Sequence, residues 1–294
     1  MPGDLDGARL DRAVSVLFDV PVAAARRLVA ARRVLVDERR RRKGDTVRAG
    51  QTVLVEGPGR WLAPAPDPRL RVLFNDAELI VVDKPAGVPC HPLIPGEGGT
   101  VVDALAALFP EIERASPEAP REAGLVHRLD TGTSGCLAVA RSEKAWRELR
   151  AAFATDAVLK RYQALVHGQV VGERVVEARV AHDPADPRRM RVDPAGRPAT
   201  SVVRALVSGA DVSLVEVVMH GGRRHQLRVH LASLGHPIVG DALYGAPRAA
   251  DMVWPLLHAR SLELPGRARV QAPLPAALFA AAAARGLAVE AEAP

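Results

Sequence analysis

Asp130 sits in the stretch GLVHRLDTGTSG, residues 124–135, directly after His127, Arg128 and Leu129 and directly before a turn of Thr, Gly and Ser. A carboxylate in that setting has two readings. It can cap the backbone two residues on, as an aspartate before a turn ordinarily does, or it can serve as a nucleophile or general base. A second dense segment, GGRRHQLRVHLASLGHPIVGDALYG, runs from Gly221 to Gly245. Within it Leu227, Leu231 and Leu234 recur at helical spacing, Gly235 suits a left-handed helix stop, and Pro237 follows. On that helix Arg228 falls beside Leu231, at the flank of the apolar stripe. A guanidinium there is partly buried and needs a counter-charge. Asp130 is one candidate among the acids of the chain.

Other chemistries fit these residues poorly. His220, His225 and His230 are each five apart, with His236 just beyond. Residues five apart are turned by about 140° on a helix and lie on opposite faces of a strand, so they do not converge on a metal. His225 is expected to hydrogen-bond locally and His230 to lie in a core or an interface. Ser134 lacks the strand–GxSxG–helix setting of a nucleophile elbow, and TGTSG lacks the GK[ST] ending of a phosphate-binding loop. Cys90 and Cys136 are far apart and in no CxxC pair, which supports neither a disulfide framework nor a thiolate zinc site. No metal and no cofactor is expected.

The elements that must position these residues divide the chain in two. Leu10, Val14 and Leu17 mark one helix, and Pro21 opens a second, VAAARRLVAAR, carrying Arg26 and Arg27. VLV at 34–36 and TVLVE at 52–56 read as short strands. Their charged connection, DERRRRKGD, holds Arg39, Arg40, Arg41, Arg42 and Lys43, expected to be a solvated loop or a phosphate-contacting face. Residues 1–56 thus form a helix–helix–strand unit. Pro and Gly recur in GPGRWLAPAPDPR, residues 57–69, which is the expected linker. Residues 70–294 then alternate strands (RVLFN, LIVVDK, LAVAR, YQALVHG, SVVRALV, VSLVEVVM) with helices (TVVDALAALF, SEKAWRELRAAF, HQLRVHLASL) and close on an Ala-rich helix. That mixture predicts an α+β fold with a largely antiparallel mixed sheet flanked by helices.

The chain has 294 residues, 48% of them hydrophobic, and a formal net charge of +6. The cationic excess favours a polyanionic partner, nucleic acid first. MPGDLDGARLDRAV carries no apolar signal core, and no apolar run reaches the ~18 residues of a membrane helix. The expectation is a cytoplasmic protein without a membrane partner.

GLVHRLDTGTSG resembles the catalytic motif of the RluA-like pseudouridine synthases, with Asp130 at the one essential carboxylate. KRYQALVHG (160–168) resembles the family's second motif, with Tyr162 at its active-site tyrosine. GRRHQLRVHLASLGHPIVGDALYG resembles the third, with Arg228 at the arginine that pairs with the aspartate. LIVVDKPAGVPCHP (79–92) and LHARSLELP (257–265) match two further blocks, so five segments follow in the family's order. The N-terminal unit resembles an S4-like RNA-binding domain, although the usual VNG turn reads VDE here and the glycine usual after the second helix is replaced within AARRV.

The resemblance implies a pseudouridine synthase fold and an enzyme that isomerises uridines in structured RNA, ribosomal or transfer, with a monomer as the default state. Uracil is cut from its ribose at nitrogen, turned, and rejoined through carbon. No group is transferred, so no cofactor is required. The uridine must leave its stack to enter a pocket. Arg228 would hold Asp130 ionised, since a neighbouring cation favours a carboxylate that burial disfavours, while Tyr162 would pack on the extruded base. Arg128 would contact phosphate or fill the vacated space. His127, Arg223, His225, Gln226, Arg26, Arg27 and the run from Arg39 to Lys43 are the further residues expected to meet RNA. The competing reading is a non-catalytic RNA-binding or ribosome-assembly protein that retains the fold.

Overall fold

The computed structural model describes residues 3–18, 20–56, 61–245 and 252–289. In the N-terminal unit, α1 (Leu10–Leu17) and α2 (Val22–Ala30) pack through Leu10, Val14, Ala24 and Leu28 onto β1 (Val34–Val36). β1 turns back into β2 (Arg39–Arg40) through Asp37 and Glu38, whose φ angles of 50° and 64° make a left-handed two-residue hairpin turn. The Asp37 carboxylate steadies that turn by accepting from Thr52 N–H at 2.9 Å and Gln51 Nε2 at 2.8 Å. β3 (Val53–Val55) pairs with the other edge of β1. The cationic run is therefore not wholly a loop. Arg39 and Arg40 pair with Val36 and Leu35, and the chain leaves the sheet at Arg41.

The expected linker is less of a spacer than its composition suggests. Gly57 to Arg60 lie outside the described residues, but Leu62 is buried in the main core and Ala63 N–H donates to Asp103 Oδ1 at 2.8 Å.

The larger unit continues through β4 (Arg71–Asn75), β5 (Leu79–Lys84), α3 (Val101–Leu108), β6 (Ser134–Ala140) and α4 (Glu143–Ala154). It then runs through β7 (Leu159–His167), β8 (Glu173–His182), β9 (Met190–Val192), β10 (Arg197–Ser208), β11 (Val212–His220) and α5 (Gln226–Ser233). β12 (Leu257–Glu263), β13 (Val270–Gln271) and α6 (Ala276–Ala283) end it. The strands form one mixed sheet in the order β4-β5-β6-β12-β7-β11-β10-β8-β9, with β13 pairing β12 off that path. Among the described strands only β6 and β12 run parallel.

The inner strands are apolar on both faces, as strands covered on both sides must be. Ile80, Val82, Leu137, Ala164 and Val166 face the core closed by α3 and α5. Leu79, Val81, Cys136 and Ala138 face α4, while Leu165 and Leu214 face α6. Local sequence starts two of these helices. Thr100 and Asp103 form a reciprocal capping box at α3, and Ser142 caps α4 by accepting from Ala145 N–H.

Candidate active site

The loop 127–133 that carries Asp130 is pinned by the corner that follows β5. Lys84 is completely buried, and its ammonium donates to the carbonyls of Pro85, Val88 and Thr131 at 3.0, 2.7 and 3.0 Å. Burial lowers that ammonium's pKa to about 8, against the opposing influence of Cys90 and Asp130. Gly87 N–H reaches the same Thr131 carbonyl, and Cys90 Sγ bonds the backbone of Leu129 on the other side. The loop backbone is thereby held immediately before and after Asp130.

The turn-capping reading of Asp130 fails on this geometry. Its backbone oxygen, not its carboxylate, accepts from Thr133 N–H at 3.0 Å. Among the described residues the one hydrogen bond to the carboxylate comes from Arg228 Nη1, at 3.3 Å. Arg228 is itself gripped from its other edge by Asp241, with Nε and Nη2 at 2.7 and 2.8 Å from the two carboxylate oxygens. Asp241 is almost wholly buried whereas the Asp130 side chain is 30% exposed. The counter-charge of Arg228 is thus mainly Asp241, a residue that the sequence reading passed over. Asp130 takes the guanidinium's remaining edge and keeps its other oxygen without a hydrogen bond among the described residues.

Tyr162 lies on β7, opposite Val217 of β11, and is buried in the core face that also holds Leu227 of α5. Burial, then the negative charge of Asp130, pushes its phenol well above the ordinary tyrosine range. No hydrogen bond to its hydroxyl exists among the described residues, which leaves that group free for an occupant of the site.

His225 stands beside them. Its Nε2 lies 3.8 Å from Asp130 Oδ2, and its Nδ1 meets the Tyr244 hydroxyl at 2.8 Å. Arg128 is exposed at the mouth of the site, 3.8 Å from Glu122 and 3.4 Å from His91 Nε2. Arg223 is also at the surface, donating to the Pro198 carbonyl.

Two residues expected at an RNA surface bond inward instead, Gln226 buried and His127 half-buried. His127 accepts from Ala138 N–H at 2.9 Å and stacks on Phe153 with centroids 4.4 Å apart. Burial, aided by Lys160, lowers its pKa to about 3, so the ring stays neutral. Gln226 is 1% exposed and donates to the Thr200 and His220 carbonyls while accepting from Arg223 N–H. In both, the polar side chain is engaged by strand backbone within the protein.

The histidines do not gather. His230 is buried against Ser201 Oγ at 3.0 Å, His225 is bonded to Tyr244, and His220 faces Asp156. No cluster of three metal-ligating side chains occurs among the described residues. A cavity of about 1010 Å³ beside Trp254, Pro255 and α6 holds none of Asp130, Tyr162 or Arg228. Its walls are mostly Pro, Ala and Leu, whereas the convergent charges and hydrogen bonds lie at Asp130.

Residues 78–233 match the family model described as RNA pseudouridylate synthase. An uncharacterized RNA pseudouridine synthase of Chloroflexus aurantiacus is 39% identical over 293 residues, covering 95% of this chain and 90% of that one. The ribosomal large subunit pseudouridine synthase D of Pseudomonas aeruginosa is 33% identical, covering 94% and 91%. Among solved structures, human RNA pseudouridylate synthase domain containing 1 superposes with a TM-score of 0.61 at 26% identity, over 74% of this chain and 90% of that one.

Proposed function

Because the chain belongs to the RNA pseudouridylate synthase family, and so isomerises uridine to pseudouridine in RNA, we propose that Asp130 is the carboxylate on which its catalysis depends. The observation that carries this reading is the hierarchy around Arg228. A guanidinium locked by buried Asp241 presents its last edge to Asp130, whose second oxygen is unoccupied. That arrangement orients a negative oxygen toward a substrate without neutralising it, which serves attack on the sugar or base, or removal of a ribose proton, equally well. A protein that only binds RNA has no use for it.

Tyr162 packs against the extruded uracil, and its unbonded hydroxyl is available to move a proton. It acts as the phenol, since burial disfavours the phenolate. Extruding the base costs a few kcal/mol of stacking, offset by cationic contacts from Arg128 at the mouth and by the N-terminal unit acting as an S4-like RNA-binding domain. The substrate is structured RNA. Relatives named ribosomal large subunit pseudouridine synthase D favour ribosomal over transfer RNA. No described helix is long and apolar enough to cross a membrane, and the cytoplasm, where ribosomal RNA is available, is the proposed setting for a monomeric enzyme.

Asp130→Asn tests the reading. Incubated with a ribosomal transcript tritiated at uracil C5, the wild-type protein releases tritium as the new carbon–carbon bond forms. The variant is expected to release none while binding the transcript with unchanged affinity. Turnover by the variant at more than a tenth of the wild-type rate removes Asp130 from its role.

A further inference from the structure

We propose that Tyr244 and His225 are positioning residues for Asp130, the tyrosine hydroxyl fixing the imidazole in the tautomer that presents an N–H to the carboxylate. The inference rests on Asp130 being the acting carboxylate, and goes beyond it by assigning two further residues.

One assignment of the protons uses each group's hydrogen-bonding capacity, and it is the assignment proposed here. Met190 N–H donates to Tyr244 Oη at 2.7 Å, and the hydroxyl's own proton is then directed to its other partner, His225 Nδ1, at 2.8 Å. An Nδ1 that accepts carries no proton, so the neutral ring bears its hydrogen on Nε2. Nε2 faces Asp130 Oδ2 at 3.8 Å, the same oxygen that Arg228 Nη1 reaches at 3.3 Å. A shift of less than about 1 Å would turn that approach into a hydrogen bond, and such distances tighten when a substrate closes the site.

The surroundings keep the ring neutral and still. Burial lowers the His225 pKa to about 4; Asp130 and Asp241 pull it upward, Arg228 and Arg224 push it down. Its backbone, immediately before α5, is left-handed at φ +54°, a conformation costly for a non-glycine residue. Tyr244 is 7% exposed, and the guanidinium carbons of Arg228 and Arg189 lie 5.0 and 5.5 Å from its ring centroid. A hydroxyl so enclosed does not meet RNA. It reaches the chemistry through His225.

Glutamine places an amide N–H about where the His225 Nε2–H lies and needs no hydroxyl to set its tautomer, whereas asparagine reaches only to the Nδ1 position. Single-turnover tritium release and RNA affinity are to be measured for the full chain carrying Tyr244→Phe, His225→Gln, His225→Asn, and Tyr244→Phe combined with His225→Gln. Tyr244→Phe and His225→Asn are expected to lose roughly tenfold in rate with unchanged affinity, the size of a small misplacement of a reacting group. His225→Gln should stay within threefold of the wild type, and adding Tyr244→Phe to it should cost nothing more. An equal loss from Tyr244→Phe in both backgrounds, or a rate for Tyr244→Phe within twofold of the wild type, overturns the proposal. Asp130→Asn runs alongside: activity in that variant defeats the underlying role of Asp130, whereas an inactive Asp130→Asn with an indifferent Tyr244→Phe defeats only this inference.

Discussion

Arg228 serves two carboxylates of unequal standing, and the proposed role of Asp130 rests on that inequality. Asp241 holds the guanidinium by two short bonds in a buried position, and Asp130 receives one longer bond in a partly exposed position. Asp241→Asn keeps the shape and removes the charge that offsets burial of Arg228. Stripping one partner from a buried pair costs roughly 3 kcal/mol, so the urea midpoint should fall accordingly, and the isomerisation rate should drop more than tenfold as Arg228 turns toward Asp130. An unchanged midpoint would show that Asp241 is not the anchor. Motif likeness singled out Asp130, Tyr162 and Arg228, the residues on which the proposed site is built. Asp241 was not, although it stands within the same quoted segment, because a sequence holding many acids does not say which one a buried arginine meets. His127 and Gln226 mislead for the opposite reason: their neighbours in the chain are at the site while their ring and amide bond to strand backbone.

At the level of elements, the decisive contact is the parallel pairing of β6 with β12, which places Ser134 and Gly135, the first residues after the loop 127–133, against His258 and Ala259. Gly135 sits there at φ +105°, and a Cβ on it would lie 2.3 Å from the Ala259 carbonyl oxygen. Backbone, not a flexible side chain, occupies that space. Gly135→Ala must therefore part the two strands and strain its own backbone, on the order of 3 kcal/mol, and move the loop that carries Asp130. Gly266→Ala is the control, since that glycine has a similar φ sign but nothing within 4 Å. Thermal melts should show a much larger loss for the first, accompanied by lost activity; equal losses would reduce Gly135 to a simple turn glycine. The helices and the buried strands were readable because their apolar periods are strong. β8, with Glu and Arg interspersed, and β2, hidden in a run of arginines, carry no such period. The one parallel pairing among the described strands joins residues 124 apart in the chain, as Ser134 and His258 show, and no local pattern encodes it.

For the whole molecule, the question is how a cationic hairpin at one end of the chain bears on a carboxylate in the other unit. The two units share packing: Ile94 is buried in the core of the N-terminal unit, Arg27 pairs with Glu97, and Arg33 Nη1 donates to the Pro95 carbonyl at 2.9 Å. The same segment begins at His91, which touches Arg128 at the mouth of the site. Phosphates held by the hairpin would thus be placed in a fixed register to Asp130, as backbone contacts position and leave selection to the site. Arg40 is already engaged by Glu56 at 2.7 Å and by the Arg32 carbonyl at 2.8 Å, and Arg27 by Glu97, so neither is a free phosphate ligand. Replacing Arg39, Arg41, Arg42 and Lys43 by Ser removes charges without breaking those bonds. If all four meet phosphate, the slope of log affinity against log salt should flatten by about 3, while kcat at saturating RNA stays within twofold because no group near Asp130 changes. An unaltered slope, measured by filter binding from low to moderate salt, would take the hairpin out of the RNA interface and leave Arg128, Arg223 and the cations of the larger unit to hold the substrate alone.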